Sequence, residues 1–290
     1  MFLRITHLTR YDYSSAVSFA PHALYLRPRE TSRQRVHNFT LAVAPTPARL
    51  IATTDAEDNV LDWAYFAPDA RATMLELRTE FLVETLDANP FDFFLKPAAS
   101  AFPFAYDATE RITLSSCLVP PAPATALALR GWLAHHLPSL PGETLAFLTA
   151  LNTAIRSSLV YSRREEAGIQ PAAQTLARGG GSCRDYAVLF IELCRLHGLA
   201  ARFVSGYLHE PPEPALSDPA PPAMHAWAEV YLPGAGWRGL DPTRAIFCND
   251  AFVPIAHSAV AASVNPLQGT FFSAGPVTSQ LTTDLDVAKL

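Results

Sequence analysis

The sequence predicts an α+β protein: an N-terminal antiparallel β-sandwich or barrel, then a helical stretch, then a return to extended chain. Three observations carry that prediction. Apolar residues alternate with period two through about residue 115. Helical periodicity begins only after the Pro-rich run Val119-Pro120-Pro121-Ala122-Pro123. From Ala201 onward the apolar pattern is again that of strands, broken by turn residues.

In the first part, Leu3, Ile5, Tyr11 and Tyr13 share one face of a period-two pattern. Phe39, Leu41 and Val43 repeat it, as do Leu75, Leu77, Phe81 and Val83. The polar run Asp55-Ala56-Glu57-Asp58-Asn59 between Ile51 and Val60 signals a hairpin. No nucleophile and base cluster here, which suits a scaffold or substrate-side module.

The first helix is expected over Thr125–His136 and the second over Glu143–Leu159, where Leu145, Leu148, Leu151, Ile155 and Leu159 form a stripe. The third runs from Cys183 to His197. Ser182 is placed to cap it, Asp185 stands three residues on in a capping-box position, and Gly198 suits the C′ site. Extended runs follow at Ala201–His209, Ala226–Leu232 and Trp237–Asp241. Between the first two lies Pro211–Pro222, either a mobile lip or an insertion. Beyond Asp241 the pattern weakens, and there is no internal repeat.

Composition bounds the function. With 290 residues, 49% hydrophobic and 17% charged, the chain can form one large or two ordinary globular units. A net charge of −5 without a basic block argues against nucleic acid as partner. No apolar run approaches the ~18 residues of a membrane span, and the alternating start lacks the apolar core of a secretory signal. Cys117, Cys183, Cys194 and Cys248 form neither C-x-x-C nor metal-ligand spacing. Reduced thiols in a cytoplasm are therefore the expected setting. His135-His136 has no further ligand spacing, so no metal is expected.

The chemistry concentrates at Gly179-Gly180-Gly181-Ser182-Cys183. Unpaired N–H groups and the macrodipole at a helix start favour a thiolate. The glycines are expected to leave room for an incoming carbonyl. A thiolate nucleophile needs a histidine base and a group that orients it. His225, at the mouth of a strand after the Pro-rich loop, is the best placed of the nine histidines. Asp241 closes the next strand, so adjacent strands can set the two side by side. The rival readings are structural: Asp241 as the start of an Asp-Pro turn, Asp185 as a capping residue, Cys194 as a core residue. Arg184 and Arg202 read as ion-pair partners, Trp227 and Trp237 as packing around the site.

The ordered motifs G-x-C-R-D at Gly181–Asp185, A-R-F-V-S-G-Y at Ala201–Tyr207, H-A-W-A-E-V at His225–Val230 and G-W-x-G-L-D-P-T at Gly236–Thr243 resemble the transglutaminase-like superfamily of papain-like cysteine enzymes. The resemblance is to its bacterial cysteine proteases with an N-terminal β domain. It implies a β domain over 1–118, a core over 119–250 with a helical half packed on an antiparallel sheet, and a C-terminal segment, 251–290, packed on one of the two. It also implies Cys183 as nucleophile, His225 as general base and acid, and Asp241 as orienter. The reaction would pass through a thioester on a carboxamide or peptide carbonyl of a peptide or protein substrate. Water as acceptor makes a hydrolase and a primary amine makes a transglutaminase; a non-catalytic scaffold on the same fold is the third alternative. The Cys183 N–H is one oxyanion donor. Tyr161 and Asn152 are candidates for a second, and Trp227 for shaping the acyl pocket. Thiolate, imidazole and backbone donors suffice for acyl transfer, so no cofactor is implied. Oligomeric state is not encoded in these motifs.

Overall fold

The computed structural model describes residues 1–162, 164, 168–209 and 224–290; the loop Pro211–Pro222 lies outside these described residues. Six strands open the chain: β1 Phe2–Phe19, β2 His22–Leu24, β3 Gln34–Ala44, β4 Arg49–Thr54, β5 Val60–Tyr65 and β6 Ala72–Thr85. There follow α1 Pro97–Ser100, α2 Ala108–Thr113, α3 Pro123–His136, α4 Thr144–Ser158, β7 Val160–Tyr161, α5 Ala172–Arg178, β8 Gly180–Gly181 and α6 Cys183–Leu196. The chain ends in β9 Ala201–Leu208, β10 His225–Leu232, β11 Gly236–Asp241, β12 Ile246–Phe247, β13 Phe252–Ser258, β14 Leu267–Gln268, β15 Phe271–Phe272 and β16 Ser279–Lys289.

Two antiparallel sheets form the N-terminal unit. One has the order β15-β1-β6-β3 with β16 also on β1, and the other is β14-β2-β5-β4. Alternation in β1 places Leu3 and Ile5 inward with no exposure, while their neighbours face out. The sheets meet through Leu24, Leu26 and Ala64 against Leu77, with Leu41 and Val43 packed beside them. Each large side chain so buried stabilises the fold by about 1.5–3 kcal/mol. The expected hairpin joins β4 to β5: Asp55 Oδ1 accepts from Glu57 N at 2.8 Å and Asn59 N at 2.9 Å, and Asp58 takes φ 63°.

The second unit sets helices on the antiparallel sheet β12-β11-β10-β9-β13. Ala226, Ala228, Val230 and Leu232 of β10 share a core with Tyr186, Phe190 and Leu193 of α6 and with Leu148, Leu151 and Ile155 of α4. The sequence stripe on α4 is therefore its buried face.

Two boundaries differ from the expected ones. The first unit's strands stop at Thr85, and residues 97–118 lie with the helical unit. Tyr106 there donates to Tyr231 O at 2.8 Å and accepts from Ala200 N at 2.9 Å. The segment 251–290, expected on one unit, serves both: β13 closes the second sheet, whereas β14, β15 and β16 complete the first two. Helices of four and six residues show too few periods to be read. A terminal strand carries no mark of the partner it will pair with.

The units are joined by polar contacts at the back of the second sheet. Asn59 clasps His257, donating to its carbonyl and accepting from its N–H at 2.8 Å each. His7 and Tyr207 share a bond of 2.8 Å. Arg202 lies 2.6 Å and Arg29 3.5 Å from Glu229. Burial raises the Glu229 carboxyl, but these two cations outweigh it and hold it at about 2.

Candidate active site

The first turn of α6 is fixed before any partner arrives. Asp185 folds back on Ser182, accepting from its N–H at 2.8 Å and its hydroxyl at 2.9 Å. The same carboxylate accepts from Gln170 N at 2.8 Å and pairs with Arg164 at 2.7 Å. Burial opposes the charge, yet Arg164 and the backbone donors outweigh it and hold the Asp185 carboxyl well below the usual carboxylate range. Asp185 is thus a structural anchor of the turn that presents Cys183.

The glycines act differently from expectation. Gly179 takes φ +67° as the left-handed end of α5. A Cβ on Gly180 would stand 2.2 Å from Val160 O, and one on Gly181 would meet Asp185 and Gln170 within 2.9 Å. The space beside both is already filled by protein. They allow β8 to lie against β7 and the Asp185 anchor; they do not open room for a substrate carbonyl.

At this turn the Cys183 thiol faces the His225 ring and the Ala226 N–H, both of which act to lower it. His225 Nε2 donates to Asp241 Oδ2 at 2.8 Å, leaving Nδ1 for the sulfur. The pairing of β10 with β11 brings this about, because Ala228 sits opposite Leu240 and so sets His225 diagonally from Asp241. Burial works against both charged forms, disfavouring thiolate and imidazolium alike. The mutual hydrogen bond and charge override it: the Cys183 thiol is lowered, and His225, held also by Asp241, is raised to about 10. Both shifts favour the thiolate–imidazolium form of the pair. The other thiols move the opposite way, since burial pushes Cys117, Cys194 and Cys248 up.

Asp241 is buried, and each oxygen has a task. Oδ1 accepts from Thr243 N at 2.8 Å and Thr243 Oγ1 at 2.7 Å, while Oδ2 faces His225, with Arg244 Nε 3.8 Å away. Thr243 is the residue that sequence reasoning missed. It lay inside a quoted motif without a role, although Asp with Thr two residues on is the spacing of an Asx turn. Arg164, the partner of Asp185, carried no local signal at all.

The remaining candidates are dispersed. Asn152 is buried and its amide nitrogen donates to Ile246 O at 3.1 Å, tying α4 to β12. Tyr161 lies opposite Gly181 in the β7–β8 pair, its ring edge-on to Tyr186 at 6.0 Å. Trp227 is 2% exposed and packs against Phe252, its ring 6.2 Å from that of His225. Arg202 pairs with Glu229 and lies over the Trp237 ring at 4.0 Å, while Arg184 donates to Arg164 O at 3.2 Å. A cavity of about 370 Å³ opens between the units among Arg29, Arg33, Arg202, Glu229 and Trp237, but Cys183, His225 and Asp241 do not line it. Among the described residues no group of three or more His, Cys, Asp or Glu is placed to hold a metal, and no helix is long and apolar enough to cross a membrane.

The fold is that of a transglutaminase-like core carried with a β-sheet unit. Residues 133–242 match the model of the transglutaminase-like superfamily, and residues 3–84 match that of the bacterial transglutaminase-like N-terminal region. The chain thus carries a transglutaminase-like core behind a bacterial transglutaminase-like N-terminal region. It is 28% identical over 280 residues to an uncharacterized protein of Mycobacterium tuberculosis, covering 93% of this chain and 87% of the relative. An uncharacterized protein of Mycobacterium leprae is 25% identical over 287 residues, 98% of this chain and 96% of the relative. The fold matches the crystal structure of a "Putative Cysteine Protease from Cytophaga hutchinsonii" with a TM-score of 0.71 at 20% identity, over 100% of this chain and 91% of that one.

Proposed function

We propose that this protein is a cysteine-dependent hydrolase of amide or peptide bonds acting through a thioester, with Cys183 as nucleophile, His225 as general acid and base, and Asp241 as orienter. The observation that carries this is His225 held between Asp241, at 2.8 Å, and the thiol at the first turn of α6. Sγ attacks the carbonyl carbon, and the negative charge that develops on oxygen faces the helix start. Cys183 is the first helical residue, and its N–H has no intrahelical acceptor. As the C–N bond breaks, the His225 imidazolium protonates the leaving amine or ammonia. Neutral His225 then removes a proton from water as it attacks the thioester, and the acid departs with Cys183 restored. Asp241 keeps the Nε2–H tautomer throughout, so Nδ1 always meets the reacting groups.

A primary amine in place of water would turn the same acyl-enzyme into a transglutaminase, a reading that the match of residues 133–242 to the transglutaminase-like model supports. Mass analysis of a glutamine-containing peptide incubated with the protein and a primary amine separates the two. Acid or a shortened peptide is the expected product; the amine adduct would establish transfer instead. A Cys183→Ala variant that retained full turnover would overturn both. The pH dependence follows from the two shifts. Rate should persist well below the ordinary thiol range, because Cys183 is lowered, and should decline as pH rises through about 10, where His225 loses its proton.

A further inference from the structure

We infer that Tyr161 and Ile246 form an apolar rim that seats a hydrophobic side chain of the acyl donor beside the carbonyl attacked by Cys183. The inference rests on Cys183 being the nucleophile, as proposed above, and adds the class of side chain the site selects.

Strand pairing locates both residues. Tyr161 is opposite Gly181, two residues before Cys183, in the parallel β7–β8 pair. Its ring stands edge-on to Tyr186, one turn beyond Cys183 on α6. Tyr161 therefore lies beside the start of the nucleophile's helix. Ile246 is directly opposite Asp241 in the antiparallel β11–β12 pair. Residues so opposed share a face, which puts the Ile246 side chain on the side of the Asp241 carboxylate. Asn152 holds the Ile246 carbonyl and with it the position of β12.

Both are open to a ligand, Tyr161 at 45% and Ile246 at 40% exposure, whereas Trp227 is buried. Single exposed apolar residues are ordinary. Two of them in register with the Cys183 approach and with Asp241 are a surface at the reacting bond. The cations nearby are turned to protein partners: Arg244 Nε lies 3.8 Å from Asp241, and Arg184 donates to Arg164 O. An apolar side chain fits this rim better than a charged one.

The test measures alkylation of Cys183 by acetyl-aminoacyl chloromethyl ketones carrying leucyl, phenylalanyl, aspartyl or arginyl side chains, with peptide mapping to assign the modified residue. In each reaction the Sγ–C bond forms as chloride leaves. The readout is the ratio of apolar to charged probe rates within one variant, corrected for each probe's rate with a free thiol, so that changes in thiol reactivity cancel. We expect a ratio of about tenfold, the scale of partly burying one large apolar side chain. It should fall towards one in Tyr161→Ser and Ile246→Ser and survive in Tyr161→Phe, which keeps the ring. A ratio near one in the unaltered protein overturns the inference, as does a ratio that both serine variants retain. Turnover of amides without selectivity leaves the proposed reaction standing and the inference fallen; selectivity without turnover keeps an apolar rim beside the Cys183 thiol but removes the acyl donor, and with it both the proposed reaction and the inference. Failure of every probe, iodoacetamide included, to reach Cys183 removes both.

Discussion

Cys183 and Cys194 lie on one helix, eleven residues apart (194 − 183 = 11), and their surroundings send them in opposite directions. Cys194 has no exposure and sits among Leu193, Phe190 and their neighbours, where burial outweighs the charge of Arg195 and pushes the thiol up. Cys183 also suffers burial, but it meets the His225 ring, the Ala226 N–H and the charge of Arg184, which together bring it down. Residue type and helix are the same. The difference lies in partners placed by other parts of the chain, which favour the thiolate at Cys183 and are missing at Cys194.

The most severe way to break the contrast is His225→Ala, which should leave Cys183 closer to an ordinary thiol. We expect turnover to fall by about 10²–10⁴-fold with the thermal transition retained; loss of folded protein instead would make His225 structural. Next comes the turn itself. Asp185→Ala leaves Arg164 without its buried partner and should cost about 3–5 kcal/mol in denaturant unfolding. The sign with pH is set by the depressed Asp185 carboxyl. Its contribution is present above the ordinary carboxylate range and is lost as pH falls through the folded value, so the gap between the two proteins should narrow in acid. An unchanged midpoint at neutral pH would deny Asp185 its anchoring role.

A sharper comparison leaves the protein unaltered. At pH 6 an ordinary thiol is about 0.3% thiolate, so iodoacetamide should label Cys183 at least ~100-fold faster than Cys117, Cys194 or Cys248. Similar rates at all of them would erase the contrast. The smallest effect belongs to Cys194→Ser, which buries a hydroxyl among apolar groups. It should cost about 1–3 kcal/mol in unfolding while leaving Cys183 labelling as it was.

Much of the site was legible in the sequence because its signals are local. Ser182, Asp185 and Gly198 mark both ends of α6, and the helix runs from Cys183 to Leu196 as those caps require. The order of Cys183, His225 and Asp241 could be read from motifs. Other features were not legible. The glycines looked like space for substrate, but the structure fills that space with Val160 O, Asp185 and Gln170. The C-terminal segment looked patternless after Asp241, yet β16 pairs with β1 from Ser279 to Lys289. Its partner strand lies at the other end of the chain, and no local pattern names a distant partner.

The sequence by itself determined the α+β class, the alternating faces of β1, β3 and β6, the capped helix and the residue types able to carry acyl transfer. These follow from backbone propensity and period, which act over a few residues. Only the tertiary structure decided that His225 lies within 2.8 Å of Asp241, that Thr243 steadies that carboxylate, and that Tyr161 comes opposite Gly181 and Ile246 opposite Asp241. Those are products of strand register between segments far apart in the chain, and register is set by which faces the whole core must bury.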